Sequence, residues 1–200
     1  MAATPLDIST VSTLTITPGT PLAVGVVTAP AHHYFDDFNR ADGVMGDWSS
    51  DGDVTVYSNA MRNSQTYPNT AKLDDLITID DVDVTLLLVG TLDDGTPQLC
   101  LRSDDTFSEW YRVTWSASEL FVEDDLGDLF AYAGGSFGSA TEVGVIVVGG
   151  DFELYLDGSL ASSGSSATYA GGAGHRRMQL RLSNPVSYGA GVDEFTVDAP

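Results

Sequence analysis

The chain has 200 residues, of which 42% are apolar, so it is long enough to build one sizeable hydrophobic core. Its 8 basic and 29 acidic side chains give a formal charge of −21, which would repel nucleic-acid phosphates and anionic lipids and so excludes both as expected partners. The single cysteine, Cys100, excludes an intramolecular disulfide, and its position between Leu99 and Leu101 predicts a buried strand residue.

The start of the chain differs in composition from the rest. Residues 1–34 are rich in Thr, Ser, Pro, Ala and Val, contain four prolines and hold one carboxylate, Asp7. Because this composition favours an extended chain and cannot form a core, we predict an N-terminal anchoring arm at 1–34 and one domain at 35–200. Near Met1 there is no basic region, and the longest apolar run, Leu22–Val27, is too short for a secretory signal or a membrane span. We therefore expect assembly in a cytoplasm and no membrane insertion.

Alternating apolar and polar residues in the domain predict β-strands throughout. The alternation covers Val82–Leu88, Leu99–Leu101, Tyr111–Trp115, Val143–Val147 and Met178–Leu182. No comparable stretch has the 3.6-residue period of an amphipathic helix. About a dozen short strands, roughly ten residues apart, predict an all-β fold: a two-sheet antiparallel β-sandwich of the jelly-roll type.

Turn residues in the same region predict how two pairs of strands connect. The turn Gly149–Asp151 should lead into the strand Phe152–Leu156, whose alternate residues face the core. A second hairpin is predicted at Leu120–Tyr132, with its turn at Asp124–Gly127. The segment Ala161–Gly174 is nearly all Ser, Gly and Ala, so we predict a flexible loop there.

Three strand segments resemble those of a known superfamily. Tyr111–Trp115, Phe152–Gly158 and Val192–Val197 are similar to successive strands of the concanavalin A-like (laminin G-like) lectin and glucanase superfamily. The resemblance covers residues 35–198 and implies a jelly-roll fold. Because these patterns of packing and turns occur with many functions, they imply the fold more than an activity.

A narrower motif opens the domain. The run Phe35–Gly43, followed by Gly46 and Trp48, resembles the start of such domains in minor tail and other virion proteins of phages that infect actinobacteria. The resemblance implies a structural protein of the phage virion, a minor tail protein that is assembled in the host cytoplasm and released by lysis. Residues 1–34 would bind other virion proteins. The domain, as a homo-oligomer, would contact neighbouring subunits or host-surface glycans.

Three other functions stay open at this point. The first is a capsid decoration protein that uses the same arm on a different lattice. The second is a free carbohydrate-binding module or lectin. The third is a glycoside hydrolase, for which the superfamily's laminarinase-like members use a Glu-x-Asp-x-x-Glu strand motif. The nearest approach to that motif here is Glu123–Asp128, which ends in Asp instead of Glu.

The carboxylates near that segment argue against hydrolysis. Retaining hydrolysis needs two carboxylates about 5–5.5 Å apart. Glu119 and Glu123 share a strand face but are separated by about 13 Å at roughly 3.3 Å per residue. Asp124 and Asp125 stand in a turn signature, so we expect their carboxylates to point into solvent. We therefore predict no catalytic residues and no enzymatic activity.

Aromatic rings exposed beside polar side chains are typical of carbohydrate-binding surfaces. Alternation places Trp110 and Arg112 on the strand face opposite Tyr111 and its inward-facing neighbours. We predict that Trp110 and Arg112 form a stacking and hydrogen-bonding platform for a sugar, with Glu109 and Asp104 as further acceptors. In the alternative interpretation, Trp110 covers the rim of the sandwich or packs against a neighbouring chain.

Acidic clusters in the loops make structural calcium possible, since Ca²⁺ takes six to eight oxygen ligands. The first and last strands often lie together in sandwiches of this kind, so Asp36 or Asp42 would share an ion with Asp193. The competing interpretation is that these aspartates form turns and protect sheet edges. No other cofactor is predicted.

Overall fold

The computed structural model describes residues 34–50, 52–74, 77–90, 96–168, 174–183 and 189–200. Within these residues the chain forms fifteen strands in two antiparallel sheets and no helix, which confirms the predicted all-β sandwich. Accordingly, no helix of the described residues is long and apolar enough to cross a membrane. The strands are β1 (Tyr34–Asp36), β2 (Trp48–Ser50), β3 (Val54–Tyr57), β4 (Ala60–Asn63), β5 (Asn69–Leu73), β6 (Val82–Val89), β7 (Thr96–Ser103), β8 (Tyr111–Trp115), β9 (Glu119–Asp124), β10 (Leu129–Gly134), β11 (Glu142–Val148), β12 (Asp151–Leu156), β13 (Ser159–Ser165), β14 (Arg177–Ser183) and β15 (Gly191–Asp198).

The larger sheet has the order β13-β12-β11-β6-β15-β4-β3, and β1 also pairs with β15. At its centre, Val84 of β6 lies opposite Val145 of β11 on one side and Val197 of β15 on the other. All three valines are buried, because alternate residues of each strand face the second sheet. β11 and β12 pair along their length through the turn at Gly149 and Gly150, which confirms the first predicted hairpin.

The second sheet has the order β10-β9-β8-β7-β14-β5-β2. β9 and β10 form the second predicted hairpin, with its turn after Asp124. On β7 and β14, Leu99, Leu101 and Leu180 are completely buried, whereas the residues between them point the other way. The outer side of this sheet is therefore polar.

The hydrophobic core lies between the inner sides of the two sheets. Tyr111, Val113 and Trp115 of β8 are fully buried, as the alternation predicts. Tyr111 meets Phe152 of the opposite sheet edge-on, with ring centroids 4.8 Å apart. Burying side chains of this size contributes about 1.5–3 kcal/mol each, so this inter-sheet contact is a major source of stability.

The predicted flexible loop Ala161–Gly174 is wrong in its first part. Residues as far as Ser165 belong to β13, which pairs with β12 and places Gly164 opposite Phe152. A strand ladder is made by backbone groups, so a sequence of small polar residues can join one without apolar side chains. Residues 169–173 of the predicted loop lie outside the described residues.

The sequence patterns also left part of the sandwich without a prediction. β2 to β5 carry short or irregular alternation that predicts no strand, although β5 lies between β14 and the edge strand β2 of the second sheet. The predicted boundary between residues 34 and 35 falls inside β1, since Tyr34 already lies opposite Val197 of β15. The arm before Tyr34 lies outside the described residues, and its anchoring role stays a prediction.

Candidate functional site

The outer side of the second sheet carries two rows of polar residues. In the first row Gln179 of β14 lies between Lys72 of β5 and Cys100 of β7, and Arg112 of β8 follows Cys100. In the second row, Arg181 of β14 lies between Thr70 and Gln98, and Thr114 follows Gln98. We call these eight residues the polar face: Thr70, Lys72, Gln98, Cys100, Arg112, Thr114, Gln179 and Arg181.

The polar face holds three cations and no carboxylate. This composition contrasts with the chain as a whole, which has 29 acidic side chains. The face arises from the two-residue period of its strands, because the inward positions of β5, β14, β7 and β8 are taken by core residues. The second row is linked internally: Arg181 donates to Gln98 Oε1 at 3.3 Å, and Gln98 Nε2 donates to Thr114 Oγ1 at 3.1 Å.

Cys100 is the one residue of the face that is not a strong hydrogen-bonding group. It is buried, as predicted, although its side chain belongs to the polar side of β7 and not to the core side. Burial raises the pKa of the Cys100 thiol to about 11, and the nearby guanidinium groups of Arg112 and Arg181 only partly oppose that effect. The thiol is therefore protonated and unreactive at neutral pH.

Trp110 and Arg112, predicted as a platform, lie side by side. The guanidinium carbon of Arg112 is 4.5 Å from the centroid of the Trp110 ring. Arg112 also donates from Nε to Glu123 Oε1 at 2.9 Å, and a second guanidinium nitrogen bonds to the same oxygen. The guanidinium covers one face of the indole, so a ligand would have to stack on the opposite face.

The two predicted acceptors next to Trp110 already have partners within the protein. Asp104 Oδ1 accepts hydrogen bonds from the backbone N–H groups of Ser108 at 2.7 Å and Glu109 at 3.1 Å. The Thr106 hydroxyl donates to Oδ2, and these bonds together hold the pKa of the Asp104 carboxyl well below its usual range. The Glu109 carboxylate contacts His175 Nε2 at 2.8 Å. Asp104 thus fixes its loop, and a direct role of Asp104 or Glu109 in binding stays a prediction.

The loop that Asp104 fixes also reaches the other end of the polar face. It carries Phe107 in a left-handed conformation, with φ of 56°. The Phe107 ring lies 4.6 Å from the Lys72 ammonium group. Lys72, Thr70 and the β2 residues Ser49 and Ser50 line an open depression of about 310 Å³. This volume is at the lower end of the range for small-molecule sites.

The candidate calcium ligands are engaged in hydrogen bonds or lie apart. Asp36 is 7% exposed; Phe38 N donates to its Oδ1 at 2.8 Å and Trp48 Nε1 to its Oδ2 at 3.2 Å. Asp42 accepts a bond from Ser58 N at 2.9 Å, and Asp193 is exposed on β15. No three His, Cys, Asp or Glu side chains of the described residues gather as a group that could hold a metal. The structure gives Asp36 and Asp42 structural roles, and calcium stays a prediction.

The carboxylates considered for hydrolysis occupy separate environments. Glu123 is held by Arg112, and Glu119 accepts a hydrogen bond from Tyr132 at 3.3 Å. The turn at Asp124 is confirmed, but the expectation that its carboxylate points into solvent is wrong. Asp124 is 1% exposed, and its Oδ1 accepts bonds from the backbone N–H groups of Leu126 and Asp128, both at 3.0 Å. An inward-facing Asp satisfies the donors of its own turn, so this side chain stabilises the hairpin.

Sequence reasoning missed most of the polar face. Gln179 and Arg181 occupy the polar positions of the predicted strand Met178–Leu182, so the alternation places them on an outer side, whereas Gln98 precedes the predicted segment Leu99–Leu101. Lys72 belongs to β5, which was not predicted. Nothing in the sequence indicated that β14 lies between β5 and β7, and this order is what brings the cations together.

Comparison with solved structures shows the same fold in lectin and glucanase domains. The carbohydrate-binding module CBM66 from Bacillus subtilis is similar with a TM-score of 0.55 and 13% identity, over 76% of this chain and 92% of that one. A β-glucanase from Bacillus licheniformis has a TM-score of 0.59 and 12% identity, over 84% of this chain and 98% of that one.

The exoplasmic/lumenal domain of VIP36 in its Ca²⁺/Man2-bound form has a TM-score of 0.56 and 10% identity, over 78% of this chain and 82% of that one. No protein-family model matches the sequence, and neither does a curated protein. The resemblance to concanavalin A-like lectin and glucanase domains is therefore confirmed at the level of the fold, which hosts both binding and catalytic proteins.

Proposed function

We propose that this protein is a carbohydrate-binding module that uses the polar face and Trp110, and that residues 1–34 attach it to a phage virion as a minor tail protein. The observation that carries the binding proposal is a sheet surface with guanidinium, amide and hydroxyl groups in register. Sugar hydroxyls both donate and accept hydrogen bonds, so such a surface matches them along an extended oligosaccharide.

Several side chains of the polar face are held in place before any ligand binds. Arg112 is fixed by Glu123 and by the Trp110 ring, and Gln98 is fixed between Arg181 and Thr114. Side chains that are already held in place lose little conformational entropy when a ligand arrives. Similarity to a carbohydrate-binding module and to a mannose-containing VIP36 complex supports the same proposal at the level of the fold.

Binding without cleavage is part of the proposal. Each carboxylate on β9 has a structural partner, and the two glutamates of that strand lie four residues apart. Similarity to a β-glucanase keeps hydrolysis as the competing function. Incubation of the protein with β-glucan oligosaccharides, followed by product analysis, distinguishes the two. Release of shorter products would overturn this part of the proposal, and loss of that activity in Glu123→Gln would identify the group responsible.

The virion part of the proposal is supported by the sequence motif at Phe35–Gly43 and by the composition of residues 1–34. Mass spectrometry of purified phage particles, with immunogold labelling against residues 35–200, tests it. Label on the tail supports a minor tail protein, label over the head supports a capsid decoration protein, and absence from particles rejects both. Deletion of residues 2–31 should abolish incorporation while the domain stays folded.

The binding part is tested separately with a glycan array. The full chain should retain saccharides, and Trp110→Ala should weaken their retention at least about tenfold, a loss equal to roughly 1.4 kcal/mol. Tyr57→Ala is a matched control, since it removes an exposed aromatic ring from β3, which belongs to the other sheet. An array without any retained saccharide would reject the binding proposal whatever the location of the protein.

A further inference from the structure

We infer that the saccharide bound by the polar face is acidic and that Lys72 and Arg181 recognise its anionic group. This inference rests on the proposed carbohydrate binding and names the class of ligand. It starts from the contacts of the basic side chains. The chain has 8 Lys and Arg residues, and five of them form ion pairs with carboxylates: Arg40, Arg102, Arg112, Arg176 and Arg177.

Lys72 and Arg181 differ from those five residues. Within the described part of the chain, neither contacts a carboxylate. Arg181 donates one hydrogen bond, to the neutral amide oxygen of Gln98, and Lys72 lies against the Phe107 ring. Among the described carboxylates of this acidic chain, these two cations therefore have no negative partner.

The two unpaired cations are also close to each other. Lys72 lies opposite Gln179, and Arg181 is two residues further along β14. Such diagonal neighbours on adjacent strands have Cα atoms roughly 7–8 Å apart, within the reach of two long side chains. An anion bound between them would gain charge-assisted hydrogen bonds from both groups.

The depression beside β5 provides room for such a group. It is lined by Lys72, Thr70, Ser49 and Ser50, so an ammonium group stands next to hydroxyl donors. Thr70 lies directly opposite Arg181 in the register, so the strand position of Arg181 adjoins the depression. The uncharged part of a saccharide would then continue along Gln98 towards Arg112 and Trp110.

The net charge of −21 does not prevent this recognition at physiological salt. Exposed charges more than about 8 Å away are largely screened at an ionic strength of 0.15 M. The carboxylate held next to the face, Glu123, is neutralised by Arg112. Screening therefore lets Lys72 and Arg181 act on an anionic group at contact distance.

A paired glycan array tests the inference. Uronate-, sulfate- and phosphate-bearing oligosaccharides are each printed beside their neutral counterparts, for example oligogalacturonate beside its methyl ester. The full chain should retain acidic forms at least tenfold more tightly than neutral ones. Arg181→Gln and Lys72→Gln should each abolish that preference, and Arg181→Lys should keep part of it. Which acidic class binds identifies the source of the anionic group.

Arg176→Gln is the matched control because it removes the same charge from an exposed ion pair with Asp80, outside the polar face. It should leave the preference unchanged, and thermal melting should show that all variants fold. Polyglutamate, added as a competitor, should not displace the bound saccharide.

The outcomes separate this inference from the proposed function. Equal retention of acidic and neutral saccharides overturns the acidic ligand and leaves carbohydrate binding intact. An acidic preference that survives Arg181→Gln and Lys72→Gln overturns the assigned residues. Displacement by polyglutamate shows a general anion site and overturns the saccharide class, whereas an array with no bound saccharide rejects both proposals.

Discussion

The indole Nε1 of Trp48 donates a hydrogen bond of 3.2 Å to Oδ2 of Asp36, twelve residues earlier in the chain. The same carboxylate binds Phe38 N and Arg40, so it satisfies donors from both sides of the β1–β2 connection. The Trp48 ring packs against Phe195 with centroids 5.2 Å apart. Three residues of the motif that resembles phage virion domains, Asp36, Phe38 and Trp48, therefore form a buried polar and aromatic cluster in this structure.

Replacing Asp36 with Ala should lower the free energy of unfolding by roughly 2–4 kcal/mol, because buried donors would lose their acceptor. Urea denaturation measures this change. Asp37→Ala is the matched control, since Asp37 is exposed and accepts one bond, from Asn39 N. The control should cost less than about 1 kcal/mol. Equal losses in the two variants would contradict the structural role of Asp36.

Gly164→Ala should destabilise the protein by about 1–3 kcal/mol, the range for overpacking a dense region. An added Cβ at this position would lie 1.8 Å from the carbonyl oxygen of Phe130, where β13 passes close to β10 of the other sheet. Thermal melting of Gly164→Ala and of a control variant measures the difference in stability. Gly174→Ala is the control, because no atom of the described residues lies within 4 Å of its Cβ position. If Gly164→Ala were as stable as the control, β13 and β10 would not be tightly packed at this position, which would contradict the prediction.

The Asp104 carboxyl should titrate well below the value of about 3.9 for a free aspartate. Hydrogen bonds from the Thr106 hydroxyl and from the backbone at Glu109 and Ser108 lower its pKa in the folded state. The stabilisation they supply is complete above the unfolded-state pKa and is lost as the pH falls through the lowered folded value. Carbon-13 NMR of the side-chain carboxyl measures the midpoint. In Thr106→Ala the midpoint should rise, and an unchanged midpoint would contradict this assignment.

The Cys100 thiol should react slowly with thiol reagents while the protein is folded. Burial raises its pKa from 9.0 to about 11, so at pH 8 the thiolate fraction falls about 100-fold. The stabilisation linked to the neutral thiol is present below pH 9 and is lost as the pH rises through 11. Labelling with a chromogenic disulfide at pH 8, with and without urea, measures the difference. Equal rates in the two conditions would show that Cys100 is accessible in the native state.

The sequence by itself determined the fold class and the inward positions of the main strands. In β7, β8, β11 and β14 the period of two residues separates core side chains from outer ones, because successive side chains of a strand point to opposite faces. Glycine and aspartate marked the hairpin turns after Val148 and at Asp124 for a similarly local reason. Local patterns did not predict β13, since a serine-rich edge strand has no apolar period.

Only the tertiary structure decided which outer residues form a common surface. Lys72 and Arg181 are 109 residues apart in sequence and become neighbours because β5 and β14 pair in the second sheet. It also decided that Asp36 accepts a hydrogen bond from the Trp48 indole, twelve residues away. Strand order depends on how the two sheets pack as a whole. It therefore leaves no local signal in the sequence, although it places every residue of the polar face.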